Sequence, residues 1–286
     1  MKILVLGATG MLGNALFRYL SKDASLDVWA AIRAEQNDKL HQLASQGHLI
    51  GGMELSEIAY EAAFNRIRHV KPDVIINAVG LVKQEEAAKD PLKVIPVNAL
   101  LPHRLVKLCE DIDARLIHMS TDCVFSGAKG MYHESDIADA TDLYGRTKLI
   151  GEVDKPYALT LRTSILGHEL YSQKSLVDWF LSQQGSVDGY QKAVFSGLPT
   201  VEIARIIHQY VLPNAQLHGL YHVSAEPINK YDLLKEVSRI YSKHIEILPN
   251  TEFKIDRSLD SSKFRQATGF LPKSWPEMIQ TMHDFH

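Results

Sequence analysis

The chain opens on Ile3-Leu-Val-Leu6, an unbroken apolar run, and passes at once into Gly7-Ala-Thr-Gly10-Met-Leu-Gly13. An apolar run without polar alternation predicts a strand covered on both faces, the environment of a parallel sheet. Glycines placed straight after it permit a tight turn and let a helix start close against the strand it follows. The N-terminus is therefore confined to a strand–turn–helix unit, the first half of a βαβ crossover. The same order recurs: short apolar runs at Val28–Ile32, Val74–Ile76 and Leu116–Met119 alternate with stretches of helical spacing, which predict helices over 11–21, 56–70, 92–111 and 142–153. Right-handed crossovers then imply an α/β fold with a Rossmann-like, doubly wound parallel sheet.

Beyond about residue 160 the pattern loosens. Helices are predicted at Leu176–Gln183, Val201–Tyr210, Lys230–Tyr241 and Trp275–Met282, with short strands near 220 and 246. Neither an internal repeat nor a Pro/Ser/Gly linker separates the halves, so a smaller C-terminal α/β lobe is expected to interleave with the sheet domain. The expected division is 1–160 for the sheet domain, with 190–215 returning to it, and 161–286 mainly for the lobe.

Composition excludes some partners. With 23% charged residues and a net charge of -3, the chain offers no electrostatic case for nucleic acid or a membrane surface, which leaves small molecules as the expected ligands. Cys109 and Cys123 form no CxxC pair and read as reduced thiols. The thirteen histidines make no HExxH and no zinc-spaced cluster with cysteine, so no bound metal is expected. No charged leader precedes the glycines and no apolar stretch reaches membrane-spanning length, so a cytoplasmic enzyme is expected.

A glycine turn at a helix N-terminus is an anion site, because free N–H groups and the helix dipole point the same way. Gly7 permits the turn, Gly10 lets backbone approach a pyrophosphate and Gly13 lets the helix pack on the sheet, with Thr9, Met11 and Leu12 completing the loop. The second strand ends in Arg33, where an acid would bind a ribose 2′-hydroxyl. An arginine suits a 2′-phosphate, which points to NADP(H) and keeps NAD(H) as the alternative. Asn77, Ala78 and Gly80, at the end of a later strand, are small residues where backbone would pass the cofactor ribose.

Ser120-Thr121-Asp122 ends another apolar strand, and Tyr144 and Lys148 follow about twenty residues later on one face of a predicted helix. Ligand sites in open parallel sheets lie at the carboxyl ends of strands. A phenol of ordinary pKa about 10 is a poor proton relay at neutral pH without a nearby cation. Lys148 supplies one, acting directly or through the ribose. Tyr144 would then protonate a carbonyl oxygen, with Thr121 hydrogen-bonding the same atom, as hydride arrives from the cofactor.

GATGMLG, PDVIINAVG at 72–80, VNALLPHRL at 97–105, STDCVFSG at 120–127, YHESD at 132–136, YGRTKLIGE at 144–152, LRTSILG at 161–167 and FSGLPTVEIAR at 195–205 together resemble an extended short-chain dehydrogenase/reductase, and more narrowly the dTDP-4-dehydrorhamnose reductase family. The resemblance implies catalytic roles for Thr121, Tyr144 and Lys148, cofactor contacts from the glycine loop and Arg33, and a place for Asn98 closing the strand-to-helix side of the site. It also implies reduction of the 4-keto group of a nucleotide-activated 6-deoxy-hexulose, for deoxysugar or surface-polysaccharide synthesis. Asp122 and the segment carrying Val82 and Lys83 fall beside the substrate. Arg162 and Arg257 are candidate diphosphate contacts, because a guanidinium fork matches phosphate geometry. The chain departs from the family pattern at Cys123, where relatives often have tyrosine, in lacking a proline over Ala138–Leu143, and in Leu81-Val-Lys-Gln-Glu-Glu-Ala. A homodimer is the assembly common in the superfamily. Two other readings stay open: an epimerase or dehydratase that retains its cofactor, and a non-catalytic NADP-binding regulatory subunit.

Overall fold

The computed structural model describes residues 1–35, 37–43, 46–56, 59–83 and 86–286. Along the chain run β1 (Lys2–Leu6), α1 (Met11–Leu20), β2 (Asp27–Ala31), α2 (Asp38–Leu43), β3 (His48–Ile50), α3 (Tyr60–Val70), β4 (Val74–Asn77), α4 (Pro91–Val94), α5 (Leu101–Ile112), β5 (Arg115–Thr121) and α6 (Leu143–Ile150). The second half adds β6 (Ala158–Thr163), β7 (Ile165–Leu166), α7 (Leu176–Ser182), β8 (Ser186–Phe195), β9 (Leu198–Pro199), α8 (Thr200–Ile206), β10 (Gly219–His222), β11 (Ile228–Asn229), α9 (Lys230–Ile240), β12 (Glu246–Asp256), α10 (Ser262–Thr268) and α11 (Trp275–Phe285).

Seven strands form one sheet in the order β10-β6-β5-β4-β1-β2-β3, and every neighbouring pair is parallel. The apolar runs need two covers because a strand turns successive side chains to opposite faces. In β1, Ile3 and Val5 enter the hydrophobic cluster on one side, while Leu4 and Leu6 enter the cluster on the other. The pattern repeats in β4, where Ile76 and Ile75 divide the same way, and in β5 with Ile117 and Leu116. All are fully buried, and each such side chain contributes about 1.5–3 kcal/mol.

The predicted elements are present with four differences, one being that the helix expected over Val201–Tyr210 is α-helical over Thr200–Ile206 and continues as a π-helical turn over Ile207–Val211. The expected helix over 92–111 is interrupted: Ile95–Leu100 forms a π-helical turn between α4 and α5. Pro96 lies inside it and cannot donate the regular helical bond, and Leu101 N–H reaches back five residues to the Pro96 carbonyl. The 56–70 helix is seen as α3 from Tyr60, and positions 57 and 58 lie outside the described residues. The fourth difference concerns the return to the sheet domain. Residues 186–195 form β8, the centre of a separate β11-β8-β12 sheet, while the strand that rejoins the main sheet is β10 at 219–222. The 190–215 stretch thus begins in this separate sheet and goes on through α8, which packs against α1 of the main sheet's flank. Both cysteines are free, and among the described residues no helix is long and apolar enough to cross a membrane.

Candidate active site

The strand order reverses between β1 and β4, so the loops after these two strands diverge and leave a crevice. Gly7 turns there with φ of +79°, and a Cβ would lie 3.0 Å from the Ala78 carbonyl oxygen and 3.1 Å from Val79 N. A Cβ on Gly13 would fall 2.1 Å from the Gly7 oxygen, so α1 starts in direct contact with its own turn. Gly10 is different: its Cβ would meet only the Gly7 oxygen, at 3.3 Å. Helix α1 has no side-chain cap, and its first bond runs from Asn14 N–H to the Gly10 carbonyl at 2.9 Å. The Met11, Leu12 and Gly13 N–H groups are thus the orphan donors of the first turn. An open cradle of N–H groups of this kind fits a pyrophosphate. Thr9 stands half-buried in the turn, and the Leu12 side chain belongs to the core. Arg33 is exposed just beyond β2.

Two predicted cofactor residues prove to be internal clamps. The Asn77 amide, fully buried, lies 3.1 Å from His118 Nδ1 and accepts from Val79 N–H at 3.1 Å, which fixes the turn leading through Ala78 to Gly80. Asn98 sits in the π-helical turn and grips Leu81 through both backbone groups, at 2.9 and 3.0 Å. The Gly80 position faces this amide, 3.4 Å from a would-be Cβ. Both asparagines thus hold the backbone that borders the crevice.

The proton-transfer candidates converge beside this crevice. Thr121 closes β5, and its Oγ1 accepts from Cys123 N–H at 3.1 Å and donates to Asp122 at 3.2 Å. Helix α6 is started by Asp142, whose carboxylate accepts from Gly145 N–H at 2.9 Å and from Lys83 Nζ at 3.0 Å. A Cβ on Gly145 would be 2.3 Å from the Cys123 carbonyl oxygen, so only glycine lets α6 rest on the loop after β5. That contact brings the Tyr144 phenol to the Thr121 hydroxyl. Burial raises the phenol above its ordinary pKa, and Cys123, Asp122 and Asp142 push the same way against the Thr121 hydrogen bond. One helical turn on, the buried Lys148 ammonium donates to the Met119 carbonyl at 2.7 Å. Burial lowers it to about 8, opposed by Glu152. Among the described residues Lys148 makes no hydrogen bond to the phenol.

Of the predicted substrate residues, Arg162 is placed elsewhere. It is 4% exposed and pairs with both oxygens of Glu152 at 2.7 Å, which also accepts from Ser120 at 2.7 Å. With its fork spent inside the core and over the Phe125 ring, it is not free to meet a diphosphate. Arg257 is half-buried, donates to the Phe125 carbonyl at 2.8 Å and approaches Cys123 Sγ at 3.8 Å, so it braces the loop that follows Thr121. Asp122 is buried, and desolvation raises its carboxyl despite Arg257 and Lys230 nearby. Val82 is exposed beside Lys83. Sequence reasoning missed Glu152, although its i, i+4 spacing from Lys148 was available, and it missed Gly145 and Lys230. Among the described residues no group of three or more His, Cys, Asp or Glu side chains could hold a metal ion.

The family model described as the RmlD substrate binding domain matches residues 1–285. A dTDP-4-dehydrorhamnose reductase of Aggregatibacter actinomycetemcomitans is 24% identical, covering 99% of each chain. The methionine adenosyltransferase 2 subunit beta of Mus musculus is also 24% identical, over 97% of this chain and 88% of that one. Among solved structures, a Bacillus anthracis dTDP-4-dehydrorhamnose reductase in complex with NADP superposes with a TM-score of 0.76 at 19% identity, covering 99% of this chain and 98% of that one.

Proposed function

The chain belongs to the RmlD substrate binding domain family, and on that premise we propose that it uses NADPH to reduce the 4-keto group of a nucleotide-activated 6-deoxy-hexulose, a step in deoxysugar or surface-polysaccharide synthesis. The reading is supported above all by the meeting of Thr121, Tyr144 and Lys148 at the carboxyl edge of the sheet, beside an empty-sided glycine cradle. The Met11, Leu12 and Gly13 N–H groups would hold the pyrophosphate and Arg33 the 2′-phosphate, with NAD(H) the weaker fit because no acid stands at that strand end. Bound there, the cofactor supplies hydride to the carbonyl carbon.

The chain's own residues handle the oxygen. Tyr144, raised by burial, is a neutral phenol across physiological pH and so is already charged with the proton it must give. Thr121, whose one hydroxyl hydrogen points to Asp122, turns it to the same oxygen as negative charge grows there. Lys148, tethered to the Met119 carbonyl through one N–H, has others left for a ribose hydroxyl, and its charge favours the phenolate that remains. The likeness to the mouse methionine adenosyltransferase 2 subunit beta keeps the alternative of a non-catalytic NADP-binding subunit, against which the three intact proton-handling side chains weigh.

The test is loss of NADPH absorbance with dTDP- and UDP-linked 4-keto-6-deoxy sugars. Stoichiometric oxidation is expected, with Tyr144→Phe slowed by about 100- to 10,000-fold while still binding NADPH. Redox-neutral conversion would favour the epimerase or dehydratase reading, and full activity of Tyr144→Phe would exclude this mechanism.

A further inference from the structure

Lys230 opens α9 directly after β11, and β11 pairs with the end of β8 so that Ile228 lies opposite Phe195. Asn229 caps the helix by accepting from Asp232 N–H at 2.8 Å, which fixes the backbone beneath the lysine stem. The ammonium lies 4.0 Å from the centroid of the Phe195 ring. Among the described residues it makes no hydrogen bond and no ion pair. The Asp122 carboxyl and the Cys123 thiol lie close enough to act on it, the same two residues that bear on the Tyr144 phenol. The other cations of the region are engaged: Lys83 by Asp142, Arg257 by the Phe125 carbonyl and Lys148 by the Met119 carbonyl. Burial has lowered the Lys230 amine to about 8, the cost of enclosing a cation without a partner.

We propose that Lys230 positions the substrate: its ammonium donates to an oxygen substituent of the sugar ring and holds the ring against Thr121 and Tyr144, which makes it a specificity-determining residue. The proposal rests on the nucleotide-sugar reading above. A ring oxygen is favoured over the diphosphate for two reasons. The keto carbon must reach Thr121, and Lys230 stands by the two residues that follow Thr121 in the chain. A diphosphate brought to the same place would also meet the Asp122 carboxyl.

Stable probes separate these outcomes: dTDP and UDP, each free and as its glucose ester, titrated against the wild-type protein, Lys230→Met and Lys230→Arg. The glucose esters should bind Lys230→Met roughly 10- to 100-fold more weakly, the worth of a hydrogen bond from a charged donor. Free dTDP and UDP should bind it as they bind wild type, and Lys230→Arg should recover most of the loss. With the keto substrate, KM should rise in Lys230→Met by a similar factor and kcat should change less, while NADPH affinity is unaltered. Equal weakening of free nucleotide and ester would assign Lys230 to the diphosphate and overturn the proposal, as would unchanged ester binding. A wild-type protein that binds none of the four probes would overturn the nucleotide-sugar reading and this proposal with it.

Discussion

Replacing Gly10 by alanine should separate cofactor binding from folding. The residue is the N-cap of α1 with φ of -79° and ψ of 165°, an extended conformation that alanine adopts freely. Its Cβ would meet only the Gly7 oxygen, at 3.3 Å. Glycine caps a helix somewhat better than alanine, whereas alanine restricts the unfolded chain by about 0.4–1 kcal/mol. These terms oppose, so stability should change by less than about 1 kcal/mol. The methyl group would instead occupy the open side of the cradle, where a pyrophosphate oxygen must come within hydrogen-bond distance of the first-turn N–H groups. Losing one bond to a charged oxygen costs about 1.5–3 kcal/mol, which raises the NADPH Kd by about 10- to 150-fold. Gly13→Ala is the contrast, because its Cβ would lie 2.1 Å from the Gly7 oxygen and 2.6 Å from the Gly7 carbonyl carbon. Backbone must move there, at about 1–3 kcal/mol, so stability and binding should fall together. Calorimetric titration with NADPH beside thermal melting reads both quantities. If Gly10→Ala melts like wild type and binds NADPH within about twofold of it, against the 10-fold or more argued from one lost bond, the glycine loop is not the pyrophosphate site.

Two further outcomes follow from the buried charges. Lys148 is charged below its lowered pKa of about 8, and the Tyr144 phenol stays protonated well above that; kcat/KM for keto reduction should therefore hold level up to about pH 8 and fall beyond it, whereas a rate that climbs through this range would mean that the phenolate is the active form. Arg162→Met leaves Glu152 without its bidentate partner inside the core, a loss of about 3–5 kcal/mol that should lower Tm by about 10 °C. Unchanged Tm with weakened nucleotide-sugar binding would restore Arg162 to the diphosphate.

What could be read from sequence was local. The β1 run, the glycine turn and the start of α1 are adjacent in the chain, and their chemistry does not depend on distant partners. The Thr121, Tyr144 and Lys148 set became meaningful only through its order relative to that turn, since four-residue spacing alone occurs on any helix surface. Arg162 was misjudged because a sequence displays a charge without its partner. Glu152 lies beyond the end of α6 and meets Arg162 only once β5 and β6 pair in register, with Ser120 opposite Arg162. β8 escaped notice because Ser-Val-Asp-Gly-Tyr-Gln-Lys carries no clear alternation, and its partner β12 lies far along the chain. Lys230 has no local signature, since both its Phe195 shelf and its Asp122 neighbour come from other segments.

In the proposed reaction hydride leaves a free cofactor pool and stays on the sugar, with Tyr144 supplying the proton. Mass spectrometry of the product formed from NADPH deuterated at the transferred nicotinamide position tests it most directly. One deuterium per product molecule is expected, bound to the carbon that carried the keto oxygen, with an equal amount of NADP⁺ released. Product free of deuterium, formed without net oxidation of NADPH, would contradict it.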